Sequence, residues 1–261
     1  MSDRRALAGV LALLCLTSIL VGRATSSEAE VVATPSATIF FDSKIVPRTL
    51  PRSKEAPVAI QIEGRVRPRK NLKAPAMTEI QLAVHRAAKF SSQGLPQCNE
   101  ADIEPASSKE ALEACGKALV GHGLIRARTS FPGHAHFLFN GHALLFNGRL
   151  PDGRRAILIH VFNPQPPASF VFPFVLSRHR GTYGTLLTAH LHLGRWSRIT
   201  GFKLVLKRSF TEGGRRRSFL NASCPAPSGF QLGIAPFVRA TLRFENGTKA
   251  EATVVSTCHV G

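Results

Sequence analysis

The feature that most limits the fold is how apolar residues come in short runs broken by turn dipeptides. Phe137-Leu138-Phe139, Leu144-Leu145-Phe146 and the run Ile157 to Phe162 alternate with Asn140-Gly141, Asn147-Gly148 and Asp152-Gly153. Such dipeptides are strong hairpin signals, because the tightest hairpin turns need positive φ at their centre. Ile39-Phe40-Phe41 and Val58 to Ile62 read as earlier strands, the second followed by a basic loop from Arg65 to Lys70. Ile80-Gln81-Leu82-Ala83-Val84 alternates as a half-buried strand should. Phe202 to Lys207 is expected to turn through Gly213-Gly214 into Phe219-Leu220. At Asn246-Gly247 a three-residue loop pairs Leu242 with Ala250 and sends Arg243 and Lys249 to the other face, whereas a two-residue loop would set Phe244 against Lys249.

One segment breaks the pattern. Ser107 and Glu110 have capping-box spacing ahead of Ala111-Leu112-Glu113-Ala114-Cys115, which predicts a short helix near residues 108–118. Many short strands and one helix predict an all-β, β-sandwich-like domain over residues 37–261 with one short helical insertion.

The N-terminus reads as an export signal. Arg4 and Arg5 precede an apolar run from Ala6 to Gly22, and Gly22-Arg23-Ala24 places small residues around a cleavage site after Ala24. The run is intermediate in length between a cleaved signal and a spanning helix, so an uncleaved N-terminal membrane anchor is the alternative. Residues 1–24 are therefore assigned to the signal and polar residues 25–36 to a flexible lead-in. The expected location is extracellular or in the cell envelope.

Export changes how the cysteines are read. Cys98, Cys115, Cys224 and Cys258 follow the signal, and an even count in an oxidising compartment argues for disulfides. Three pairings are possible; the sequence-local one, Cys98 with Cys115 and Cys224 with Cys258, is preferred. No C-x-x-C pair suggests metal ligation.

Charge is the second strong signal. The formal net charge is +18, and from Gly116 onward only Asp152, Glu212, Glu245 and Glu251 are acidic. A surface this basic attracts polyanions, here an anionic envelope polymer or lipid surface, and export disfavours nucleic acid. The candidate anion-binding residues are Lys203, Lys207, Arg215, Arg216 and Arg217, with a second basic cluster at Arg65, Arg67, Arg69, Lys70 and Lys73. Seventeen phenylalanines against one tyrosine and one tryptophan suit a packed core and not a sugar-stacking platform.

Gly94-Leu95-Pro96-Gln97-Cys98, Ala118 to Gly123, Leu145-Phe146-Asn147-Gly148, Ile159 to Asn163, Gly181-Thr182-Tyr183-Gly184-Thr185 and Asn221-Ala222-Ser223-Cys224-Pro225-Ala226-Pro227 occur in this order. The chain in this respect resembles a family of exported actinobacterial proteins from about Ala56 to Cys258. The resemblance implies export and a mainly β domain with paired cysteines. It brings no activity and no catalytic residue.

Other chemistries have weaker signals. His134 with His136, and His190 with His192, have the spacing that puts two imidazoles on one face of a strand, as partial metal ligands; His142 or His122 could supply a third. A metal-binding envelope protein using these pairs is the alternative function. A carboxylate hydrolase would draw on Glu63, Glu79 and Glu104, because Asp152 sits in a turn signal and Glu245 and Glu251 lie at the last hairpin. No G-x-S-x-G elbow and no phosphate-cradling glycine loop is present, and no cofactor is called for. The leading reading is a non-enzymatic exported protein associating with anionic envelope components through a basic surface.

Overall fold

The structure is a computed structural model that describes residues 29–129, 137–165, 167–192 and 197–261. The segment read as an export signal, residues 1–24, and His134 and His136 lie outside the described residues. The chain is all-β with one short helical insertion. Its strands are β1 Glu30–Ala33, β2 Ala37–Val46, β3 Thr49–Leu50, β4 Ala56–Pro57, β5 Ala59–Pro68, β6 Met77–His85, β7 Ala88–Phe90 and β8 Cys98–Asn99. After the helix α1, Ser108–Cys115, come β9 Leu119–Thr129, β10 Phe137–Arg149, β11 Arg155–Pro164, β12 Pro167–Arg178, β13 Tyr183–His190 and β14 Ser197–Leu206. The remainder are β15 Ser209–Glu212, β16 Arg215–Ser218, β17 Leu220–Ala222, β18 Leu232–Phe244 and β19 Lys249–Val260.

Fourteen strands form one sheet, ordered β1-β2-β5-β14-β9-β10-β11-β12-β13-β6-β18-β19-β3, with β8 joined in parallel to β10. The sheet curls until β1 touches β19, and the Glu30 carboxylate accepts a hydrogen bond from the Thr253 N–H there. The two facing layers of the expected sandwich are thus opposite walls of one continuous sheet. Period-two alternation explains the interior: Ile157 and Ile159 on β11, Phe172 and Phe174 on β12, and Leu187 and Ala189 on β13 are all buried in one core. The small sheet β4-β17-β7 adds Phe219 and Leu220 to it, with Phe90 edge-on to Phe219 at 5.8 Å.

Several turn signals are used differently from expectation. Asn140-Gly141 and Asn147-Gly148 do not turn, because β10 runs straight through both. A Cβ at Gly141 would strike Val161, and one at Gly148 would strike Leu158, so these glycines let neighbouring side chains approach the strand. Asn147 instead donates from its buried amide to Pro96 O at 2.8 Å. Asp152-Gly153 does turn, with φ +85° at Gly153. Gly213-Gly214 joins β15 to β16 in a separate two-stranded ribbon and does not return β14 to Phe219. The basic stretch after Ile62 is strand as far as Pro68, with Arg65 salt-bridged to Glu63 and lying over the Phe40 ring. Residues 30–33 pair with β2, because an open edge supplies a ladder that composition alone does not reveal. The last hairpin pairs Leu242 with Ala250 and Arg243 with Lys249 around Gly247 at φ +76°, as the bulged turn requires.

The insertion forms a second, smaller core on the outside of the barrel. Ile103, Ala111 and Ala118 pack on Phe146, Ala156 and Leu158, which point outward from β10 and β11. The Ser107 hydroxyl accepts the Glu110 N–H at 3.3 Å, and the Glu110 carboxylate accepts the Ser107 N–H at 2.7 Å. Cys98 is bonded to Cys115, with Cα atoms 5.5 Å apart, and Cys224 to Cys258, 5.7 Å apart. A loop of 17 residues and one of 34 restrict the unfolded chain, which stabilises the fold by about 3 and about 4 kcal/mol.

His160 ties the insertion to the sheet. It is fully buried, with Nε2 2.9 Å from Ala106 O and 3.2 Å from Ser169 Oγ. A carbonyl only accepts, so the proton sits on Nε2. Nδ1 is buried with no partner among the described residues. Burial therefore holds the imidazole below its ordinary pKa, against the opposing pull of the Ala106 hydrogen bond.

Candidate functional site

The residues singled out for anion binding fall into two places. Lys203 is exposed on β14, opposite Glu63 of β5, and Lys207 follows the end of the same strand. Arg215, Arg216 and Arg217 form most of β16 in the separate ribbon, and Arg217 Nε lies 2.6 Å from Glu212 Oε2. The arginines thus belong to a ribbon outside the sheet that carries the lysines.

The histidines divide as well. His190, at the end of β13, has Nδ1 3.3 Å from Glu79 Oε2, and His192 lies two residues further on. His122 and His142 are on β9 and β10, with β11 and β12 between them and β13. At about 4.8 Å per strand, that separation exceeds any coordination sphere. No group of three metal-ligating side chains exists among the described residues. Of the carboxylates considered for hydrolysis, Glu63 is bound to Arg65, and Glu79 is shared by Arg243 and His190. Glu104 stands beside Glu100, whose carboxyl is pushed up first by burial and then by the Glu104 charge.

A further cationic feature lies elsewhere. A cavity of about 700 Å³ at one end of the barrel is lined by Arg86, Lys89, Arg154, Arg155, Arg178 and His179. The chain assembles it by a simple rule of antiparallel neighbours. Arg154-Arg155 lies where β11 begins and Arg178-His179 where β12 ends, and the start of one strand lies beside the end of its partner. Arg86 leaves β6 at the same end, held there by its N–H to Thr182 O at 3.0 Å. Gly184 lets the Arg86 backbone approach, since a Cβ there would fall 2.9 Å from Arg86 Cα.

Charge in this cavity is unbalanced. No carboxylate lines it among the described residues. Lys89 pairs with Glu55 and Arg154 with Asp152, but Arg86, Arg155 and Arg178 make no ion pair among the described residues. Arg155 lies next to Arg149, and partial burial, followed by that like charge, lowers its pKa. An oxyanion placed here would meet forked guanidinium donors suited to bidentate bonding.

Arg154, Leu176 and Ser177 also line a second cavity, of about 590 Å³, so the two form one trough along the outside of β12. Val171, Pro173 and Val175 make its floor, because they alternate with the inward Phe172 and Phe174. Glu100 and Glu104 line it on the insertion side, and Thr188, His190 and His192 on the β13 side. The barrel interior holds a separate cavity of about 50 Å³, with Phe90 in the wall of both it and the cationic cavity.

Arg86, Arg155 and Arg178 lie outside the basic clusters that stand out in the sequence. The usable signal was Arg-Arg immediately after one turn dipeptide and Arg-His-Arg immediately before Gly181. Those runs become one site only if their strands are antiparallel neighbours. Compared with known proteins, the chain matches no family model, no curated protein and no solved structure, so its site is defined by its own geometry.

Proposed function

We propose that this is an exported, non-catalytic protein that associates with anionic components of the cell envelope through its cationic surface. The observation that carries the reading is the state of the acidic residues after Gly116. Asp152, Glu212, Glu245 and Glu251 are each already joined to a cation, Arg154, Arg217, Arg198 and Lys249 respectively. The same stretch contains nineteen lysines and arginines. Earlier carboxylates offset part of the rest, as Glu79 does for Arg243, and the remaining positive charge draws counter-ions from outside the protein. Near an anionic lipid surface each such cation contributes about 1 kcal/mol, and salt screens the attraction over about 8–10 Å.

The two disulfides are consistent with an oxidising environment, which fits export. Among the described residues no helix is long and apolar enough to cross a membrane. The test is sedimentation of the mature protein with phosphatidylglycerol vesicles and with phosphatidylcholine vesicles at low salt. The expected result is pelleting with the anionic vesicles alone and release by about 0.5 M salt. A protein that stays in the supernatant with anionic vesicles at low ionic strength refutes the proposal.

A further inference from the structure

We propose that the trough along β12 binds a single-chain anionic amphiphile, its phosphate or carboxylate head among Arg86, Arg155 and Arg178 and its alkyl chain over Val175, Pro173 and Val171. The inference rests on the envelope reading above and gives it a defined site. Three observations place head and chain.

The cationic end is concave, and Arg86, Arg155 and Arg178, in no ion pair among the described residues, reach it from three different strand ends, with Arg155 also donating to Phe90 O at 3.5 Å. This differs from the ribbon, where the run of arginines lies along one exposed strand. The lining between the cations is partly apolar: Ala88, Phe90 and Leu176 share it with Ser177 and Thr185. A small hydrated anion leaves those surfaces in contact with water, whereas an amphiphile covers them.

The trough is also polarised along its length. Positive groups crowd the end at Arg155 and Arg178, and Val175, Pro173 and Val171 continue from it as an apolar floor, with Glu100 and Glu104 along the insertion side. An anionic head is drawn to the cationic end, and the chain then runs over the apolar floor toward Val171. From Val171 to Val175 the floor extends about 14 Å at the rise of a strand, room for a medium-length chain.

Volume decides where the chain goes. The interior cavity is fully apolar in its lining but only about 50 Å³. The outer cavity is about 590 Å³. The chain therefore lies outside the barrel, on the face of β12, and Phe90 remains the wall that closes the interior.

Calorimetric titration of the mature protein with decyl phosphate below its micelle concentration tests this, with inorganic phosphate and decyltrimethylammonium as the other arms. One equivalent of decyl phosphate is expected to bind, and each methylene removed in the octyl and hexyl phosphates weakens binding about two- to fourfold. Arg155→Glu with Arg178→Glu weakens decyl phosphate at least tenfold. Val175→Asp flattens the chain-length dependence. Inorganic phosphate binding as tightly as decyl phosphate, or the cationic amphiphile binding equally well, overturns the proposal. So does a wild-type affinity that ignores chain length, a result that needs no variant to fold. Vesicle sedimentation separates this site from the envelope reading. Pelleting without decyl phosphate binding removes the site and keeps the envelope reading; decyl phosphate binding without pelleting does the reverse.

Discussion

The barrel and its helical insertion are stabilised in opposite ways. In the barrel, inward-facing columns from nearly every long strand meet in one core, and residues such as Leu145, Ile60 and Val161 have essentially no exposure. The insertion has a core of a few side chains, an eight-residue helix with exposed Leu112, and little sheet of its own. It is secured by a capping box, the Cys98–Cys115 bond and the single hydrogen bond from buried His160 to Ala106. Where apolar burial is small, covalent and polar contacts take over. The difference matters for the trough, because the insertion supplies Glu100 and Glu104 while the barrel supplies the floor and the arginines.

The largest expected effect lies in the barrel. Leu145→Ala leaves a cavity among side chains that cannot collapse and should destabilise by about 2–5 kcal/mol, read from the denaturant midpoint. Leu112→Ala on the insertion should cost less than about 0.5 kcal/mol. Equal costs would erase the distinction between the regions. Next is Cys98→Ser with Cys115→Ser, expected to cost about 3 kcal/mol. Hydrogen exchange should rise in residues 98–118 and stay slow in β10 and β11. Uniform acceleration would mean that insertion and barrel open as one unit.

The smallest effect is gradual and depends on pH. His160 and His85 both titrate below the ordinary histidine value in the folded state, chiefly through burial, with Arg86 adding to the shift at His85. Unfolded, both titrate near about 6.5. Between the two pKa values the unfolded chain binds more protons, so stability is full above about pH 6.5 and falls as pH drops through the lower folded values. His160→Gln keeps an amide donor for Ala106 but cannot titrate. It should reduce the acid sensitivity of the insertion and leave the share due to His85. An unchanged acid response in residues 98–118 would show that another group loosens the insertion.

Much of the β architecture was legible locally. Alternation at Ile80 to Val84 and the turn chemistry at Asp152-Gly153 and Asn246-Gly247 depend on a few adjacent residues, and the capping box depends on two residues three apart. The Asn-Gly pairs inside β10 misled because glycine has two uses. It tolerates positive φ, and it makes room for a neighbour; only the packed partners Val161 and Leu158 reveal which applies. The cationic cavity was half legible in the same sense. Charge excess and arginine runs are visible in composition, but a run says nothing about concavity.

By itself, then, the sequence determined strand content, the helix with its cap, the cysteines available for pairing and the sign of the surface charge. These follow from short-range sterics, from redox chemistry and from counting. The tertiary structure decided which cations share a space. Closing one sheet on itself brings the start of β11, the end of β12 and the end of β6 to one rim, gathering Arg155, Arg178 and Arg86 from positions far apart in the chain. Strand order and register are set by long-range pairing and burial, and no local run of residues encodes that neighbourhood.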